Sequence, residues 1–308
     1  MKLLDVFILL LLVILLGLGL YVLWLNLPGE FVQYEEFNLD TKTNIYSNSA
    51  QFYPNMRYPG DIIKYGISNS CDSAKKRDVE RAFSFISERT ILKFQSSDKG
   101  EIQVLCTDIS PKPEETGHFI AGEGGPSEII NTSNYAVILS GKVSLYRRTN
   151  ECVKPNIAIH EILHALGFDH NSNPQSIMYP ITECGQELDA YIVNEIKRLY
   201  SIKSAPDLAI EKLVAEKNGP YLNFEVFIGN IGLKDSESSS LVLYAGEVLI
   251  KEFALNNTEI GSSKRLKVEN LRIPRKSETL IFKILSFEKE LNGDNNKAEV
   301  SVVEQEKQ

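Results

Sequence analysis

Residues 160–170 read HEILHALGFDH and hold three of the four histidines in the 308-residue chain. On an α-helix His160 and His164 stand one turn apart on one face, so both imidazoles reach a common ion while Glu161 points to the side. A helix that simply continued could not bring a third ligand round to tetrahedral geometry, so the backbone has to turn. Gly167 is where it can: lacking a Cβ it accepts positive φ, ends the helix and lets residues 168–170 swing His170 back toward the ion. Three neutral nitrogens leave a fourth position for water, which is the arrangement of a catalytic rather than a structural zinc. A bare HExxH also occurs on exposed amphipathic helices, so the weight rests on the longer HExxHxxGxxH.

That longer pattern, with Met178 after it in SIMYP, is the metzincin signature. The run HEILHALGFDHNSNPQSIMYP resembles the matrixin branch of that group in its zinc helix, its loop length and its Met-Tyr-Pro turn. The resemblance implies a zinc endopeptidase with one catalytic Zn2+, in which His160, His164 and His170 are the ligands, Glu161 is the general base and Met178 forms an apolar floor beneath the metal. It further implies an α+β catalytic domain, a twisted mixed sheet with long helices. A protein or peptide substrate would lie along an edge strand, where main-chain hydrogen bonds set its register. Some metzincins use a tyrosine two residues past the methionine as an extra donor. Here Tyr179 comes directly after Met178 and Pro180 takes the next place, which favours a structural role in the turn. Matrixins often carry a cysteine-containing propeptide motif that occupies the zinc; none precedes Cys71, so latency of that kind is not expected.

The composition, 43% hydrophobic and 24% charged, is that of a globular protein. With a net charge of -8 and no dense basic cluster, nucleic acid is set aside as a partner. Cys71, Cys106, Cys152 and Cys184 form no CxxC pair; even in number and widely spaced, they read as two disulfides rather than a second metal site. Three pairings are open, with buried free thiols as the competing reading. Cys71 with Cys106 and Cys152 with Cys184 is favoured, the second tying the approach to the zinc helix to the segment after the methionine turn.

A site of this kind needs a scaffold on both sides of it. Residues 6–25 carry no charge and are long enough to cross a hydrocarbon core of about 30 Å, with Tyr21 and Trp24 near the end where amphipathic rings prefer the interface. The LNLP beyond them is a poor cleavage site, so residues 1–28 read as an uncleaved transmembrane anchor. The expected location is the cell membrane, single-pass, with the rest of the chain outside the cytoplasm. Residues 29–55 read as a stalk or short pro-segment. Residues 62–67 alternate as a strand, and Asp72 can cap a helix running to about residue 90, with Val79, Phe83, Phe85 and Ile86 as its apolar stripe. Strands come next at 91–95 and 102–105. This order, with YPGDIIKYGIS before the helix and ILKF after it, is similar to the N-terminal half of matrixin catalytic domains. Residues 106–125 read as a long loop containing GEGG, with His118 as an exposed loop histidine among Glu114, Glu115 and Glu123. Apolar runs around Ile129 and over 135–139 supply the edge strand, and Ser140-Gly141 reads as a turn that ends the second run. A closing helix over 188–200, with Ile192, Ile196 and Leu199 on one face, ends a catalytic domain of residues 56–204.

Residues 205–308 change texture, with no Cys, His or Trp. Short strands at 208–214, 221–228, 241–243, 248–253 and 280–285 are separated by turn residues, the pattern of a β-sandwich. PDLAIEKL, GNIGLKDS and NGDNNKAEV resemble CARDB-type, immunoglobulin-like modules, which implies a spacer or a module with a surface ligand. Ca2+ in the loops has nothing in the sequence to support it. Sequons stand at Asn131 and Asn256. The expected function is a membrane-anchored, extracytoplasmic zinc endopeptidase. The alternatives are an adhesion or scaffold protein with a vestigial protease core, against which an intact Glu161 argues, and a zinc amidase acting on cell-wall peptides.

Overall fold

The computed structural model describes residues 3–25, 28–38, 50–111, 120–146 and 152–302. Helix α1 (Leu3–Leu25) carries no charge after Asp5, and its side chains from Phe7 to Trp24 are exposed. Its 23 residues span roughly 34 Å at 1.5 Å per residue. It is long and apolar enough to cross a membrane.

The catalytic sheet contains β2 (Met56–Arg57), β3 (Ile62–Ile67), β4 (Lys93–Ser96), β5 (Ile102–Cys106), β6 (Gly122–Asn131) and β7 (Ala136–Leu145), in the order β2-β7-β5-β3-β4 with β6 added against β7. Every pairing is parallel except β6 with β7. In β7 the adjacent Val137 and Ile138 are both fully buried, so both faces of that strand are covered, whereas β5 buries Ile102 and Val104 on one face and exposes Gln103 and Leu105 on the other. Helix α2 (Ser73–Arg89) starts where the Asp72 carboxylate accepts from the N–H groups of Ala74 and Lys75 at 2.8 and 2.7 Å. It presses Val79, Ala82, Phe83 and Ile86 onto the sheet. Helices α3 (Asn156–Ala165) and α4 (Ala190–Tyr200) complete the core.

Two expectations are corrected in this half. The GEGG stretch belongs to β6 rather than to a loop, and Ser140-Gly141 lies inside one unbroken strand, β7. Gly141 mimics a turn in sequence because a Cβ there would meet the Tyr58 hydroxyl at 2.4 Å, so close packing rather than chain reversal demands it. His118 lies outside the described residues. The disulfides are Cys71–Cys106, joining the turn before α2 to the end of β5, and Cys152–Cys184, and no described cysteine is free.

The second body is a two-sheet sandwich. One sheet has the order β1-β12-β9-β8 and the other β11-β10-β13-β14, from β1 (Phe31–Asn38), β8 (Leu208–Asn218), β9 (Tyr221–Asn230), β10 (Ser239–Ala245), β11 (Val248–Asn256), β12 (Ser262–Arg272), β13 (Thr279–Ser286) and β14 (Lys297–Ser301). Phe224, Val226, Leu266 and Val268 of the first sheet meet Leu243, Phe253, Phe282 and Ile284 of the second. The segment expected to be a stalk or pro-segment instead holds β1, paired antiparallel with β12 from Phe31 opposite Glu269 to Asn38 opposite Ser262. Val32 packs on the sandwich core and Arg265 bridges Glu35 and Glu225, each at 2.8 Å. The catalytic domain is therefore inserted between the first two strands of a sandwich that starts beside α1. It docks on one end of that sandwich: Thr132 Oγ1 donates to the Ile231 carbonyl at 3.1 Å, and Ser204 Oγ to the Leu233 carbonyl at 3.2 Å.

Candidate active site

Helix α3 is buried along its whole length, and His160 and His164 project from one face of it. It ends at Gly167, whose φ is +94°, and the Gly167 N–H donates to the His164 carbonyl at 2.9 Å. A Cβ on Gly167 would meet the Met56 side chain at 2.6 Å, so glycine serves both the turn and the packing. Beyond it His170 folds back. The three Nε2 atoms stand 3.0 Å (His160–His164), 3.1 Å (His160–His170) and 3.1 Å (His164–His170) apart.

The tautomers of two rings are set by their other nitrogens. His160 Nδ1 lies 2.6 Å from the Ile177 carbonyl and His164 Nδ1 2.7 Å from the Phe168 carbonyl. A carbonyl only accepts, so each Nδ1 carries the hydrogen and each Nε2 presents a lone pair to the centre. Burial, joined for His160 by the neighbouring His164, pushes these imidazoles down to about 4, which keeps both neutral at neutral pH. Tetrahedral ligands about 2.0–2.1 Å from a zinc ion lie roughly 3.3 Å from one another. Converging lone pairs at nearly that spacing fit a metal ion.

Glu161, 7% exposed, lies under the first residues of β6. A Cβ on Gly122 would come within 2.7 Å of the Glu161 Cγ, and one on Gly124 within 2.0 Å of the Glu161 carbonyl oxygen. Only glycine lets this strand approach the helix. Burial, with Glu123 as a smaller negative neighbour, raises the Glu161 carboxyl to about 8 in the metal-free site. Glu123 is held by the Tyr146 hydroxyl at 2.6 Å. The edge of β6 away from β7 has no strand against it among the described residues.

Met178 is fully buried in the same core, in a turn held from two sides. Ser176 Oγ accepts from the Met178 N–H at 3.0 Å and donates to Asp189, the N-cap residue of α4, while Asn171 Nδ2 donates to Ser176 Oγ at 2.7 Å. Tyr179 contributes a backbone bond within the turn, to the Ser176 carbonyl at 3.1 Å.

Several supporting residues escape sequence reasoning. Phe52 stacks on the His164 ring at 5.7 Å, its N–H donates to the Gly167 carbonyl at 3.0 Å, and Asp169 N–H reaches the Ala50 carbonyl at 2.8 Å. Residues 50–52 thus brace the loop that carries His170. Arg57, 1% exposed, donates to the carbonyls of Tyr58, Pro59, Leu199 and Ile202 and lies over the Tyr200 ring at 4.4 Å. Tyr58 donates to the Ala165 carbonyl at 3.1 Å, tying down the end of the histidine helix. Only the Ser-Asp pair has a local signal, an Asp at a helix N-cap.

Three histidines on a helix and its returning loop, with a buried glutamate beside them and an open edge strand above, form a candidate metal centre of the metzincin pattern. Residues 58–201 match the family model of the Matrixin peptidases, Peptidase_M10. Macrophage metalloelastase of Oryctolagus cuniculus is 31% identical over 128 residues, covering 38% of this chain and 27% of that protein. Among solved structures, the hatching-enzyme zinc-protease high choriolytic enzyme 1 of Oryzias latipes aligns with 46% of this chain and 90% of its own, at 16% identity and a TM-score of 0.29. The CARDB domain of a Pyrococcus furiosus protein, solved with di-metal ions, aligns with 32% of this chain and 89% of its own, at 21% identity and a TM-score of 0.27. The chain spans between 27% and 33% of the length of the relatives it matches.

Proposed function

We propose that this protein is a membrane-anchored zinc endopeptidase whose catalytic domain works outside the cytoplasm. The observation that carries the reading is the convergence of three Nε2 lone pairs within 3.1 Å of one another beside a buried glutamate. His160, His164 and His170 hold the ion through Nε2, and Met178 forms the apolar floor of the site. A bound zinc ion supplies a Lewis acid that acidifies water in the open ligand position. Glu161 would take a proton from the water that attacks a peptide carbonyl and hand it to the departing amine. The free edge of β6 pairs with the main chain of an extended substrate, and the glycines at 122 and 124 keep that backbone close to Glu161.

The location rests on α1 and on the cysteines. An apolar helix with no buried side chain is stable in lipid rather than water, and two disulfides suit an oxidising compartment. The test is to purify the full chain in detergent, measure bound metal and assay a peptide library. One zinc per chain, activity abolished by chelation and restored by zinc, and neither metal nor activity in His164→Ala are the expected results. Cleavage that persists in the metal-free protein sinks the reading.

A further inference from the structure

The sandwich has two unlike ends. At one end Asn38 pairs with Ser262, and here the catalytic domain is seated; a Cβ on Gly261 would strike the Ile130 side chain at 2.3 Å. At the other end Phe31 pairs with Glu269, and here the chain arrives from α1. The arrival is short. Asn270 Nδ2 donates to the Gly29 carbonyl at 3.2 Å, and Lys251 forms an ion pair with Glu30. From Leu25, the last residue of α1, to the docked Gly29 the chain can extend at most about 15 Å, at 3.8 Å per residue. With Tyr21 and Trp24 at the interface, that reach brings this end of the sandwich to the headgroup layer, which is roughly 5–8 Å deep on each side.

Three turns meet at this end: 218–220 between β8 and β9, 273–278 between β12 and β13, and 246–247 between β10 and β11. Lys217 Nζ binds the first to the second through the carbonyls of Arg275 and Ser277 at 2.6 and 3.0 Å, and Gly246 N–H donates to the Thr279 carbonyl at 3.2 Å. Their surface differs from the rest of a chain with net charge -8. Arg272, Arg275 and Lys276 are exposed and have no carboxylate partner among the described residues. Of the nearby described acids, Glu30 is paired with Lys251 and Glu269 with Lys267, leaving Glu216, Glu247 and Glu278 against the cations. Beside them Val248 and Leu249 stand 57% and 53% exposed. Cations around an exposed aliphatic pair, tethered within reach of a bilayer, match an anionic headgroup surface.

We propose that this end of the sandwich is a second membrane contact, resting on anionic lipid headgroups and holding the catalytic domain away from the bilayer on the opposite end. The proposal depends on α1 being a membrane anchor. Strand β1, with eight residues, sets the stand-off at about 27 Å, at 3.4 Å per residue.

The test uses the full chain reconstituted in vesicles with and without anionic lipid. A fluorophore is placed through Val248→Cys or, as the control at the far end, Glu259→Cys, and quenched with a nitroxide on the lipid headgroup. Quenching at 248 should exceed that at 259 by about threefold or more and fall by about half when the anionic lipid is omitted or when Arg272, Arg275 and Lys276 are all changed to Glu. Equal quenching at both positions in a chain that resists alkaline carbonate overturns the second contact and leaves the anchor standing. Extraction of the wild-type chain by carbonate overturns the anchor and the contact with it. Quenching that ignores both lipid charge and the triple substitution overturns the electrostatic basis.

Discussion

The catalytic half draws its strands and helices from residues 56–200 and is cross-linked twice, whereas the sandwich takes β1 from one side of that domain and its other strands from the far side, with no cysteine of its own. In the first, polar groups converge: three imidazoles and a carboxyl meet at the end of a single helix. In the second they spread along strand faces and at the two ends. The chemistry thus resides where sequence neighbours are also neighbours in space, and the mounting resides where they are not.

The sharpest challenge to this contrast is Glu161→Gln, which should lower peptide cleavage about 10³-fold while bound zinc, measured by metal analysis, stays at wild-type level. Next comes the close approach of β6 to α3. Gly124→Val should cost about 10²-fold in kcat/KM by displacing the substrate-pairing edge, with the far-ultraviolet circular dichroism and metal content retained; wild-type kinetics would detach β6 from catalysis. Replacing Cys152 and Cys184 by serine opens a 32-residue separation and should cost about 3–4 kcal/mol in the stability of the catalytic half. Calorimetry that shows the sandwich transition moving equally would merge the two halves into one cooperative unit. Val32→Asp should weaken the sandwich by about 1–2 kcal/mol and leave kcat/KM unchanged.

The pH response of the metal-free protein should be the gentlest discriminator. His160 and His164 lie at about 4 in the folded chain against an ordinary 6.5. Between those values the unfolded chain binds protons that the folded chain refuses, so stability falls as pH drops through this window. The sandwich holds no histidine, so its melting should not track this titration. Zinc should carry the slope to lower pH rather than remove it, because the ion holds the same nitrogens unprotonated in the folded chain while the unfolded chain still takes up protons; a slope that zinc leaves unchanged would place its origin elsewhere.

Legibility in the sequence divides along the same line. His160, His164, His170, Glu161 and Gly167 are readable because helical periodicity and one glycine turn fix their relation within a few residues. Asp72 as a helix cap is readable for the same reason. Gly122 to Gly125 reads as a loop because glycines carry little strand propensity; the segment is a strand because it pairs with β7, and its glycines admit Glu161 beneath it, a contact across some 37 positions of chain. β12, SSKRLKVENLR, escapes a sequence reading because its outward face is charged, although Leu266 and Val268 alternate inward. β1 escapes it because FVQYEEFN has no partner nearby: Glu35 meets Arg265 across 230 positions. Arg57 gives no signal at all, since its partners are main-chain carbonyls.

The separation of β1 from β12 bears on how the molecule is made. During synthesis β1 emerges some 230 residues before its partner, so over that stretch of translation it is an unmatched strand. A loop of some 170 residues between β1 and β8 would make late closure entropically costly. A catalytic domain that has already folded brings its two ends to the same end of the sandwich and shortens that loop. The inserted domain, by folding first, would act as a spacer for the sandwich, and β1 would join its sheet only after β12 has been made.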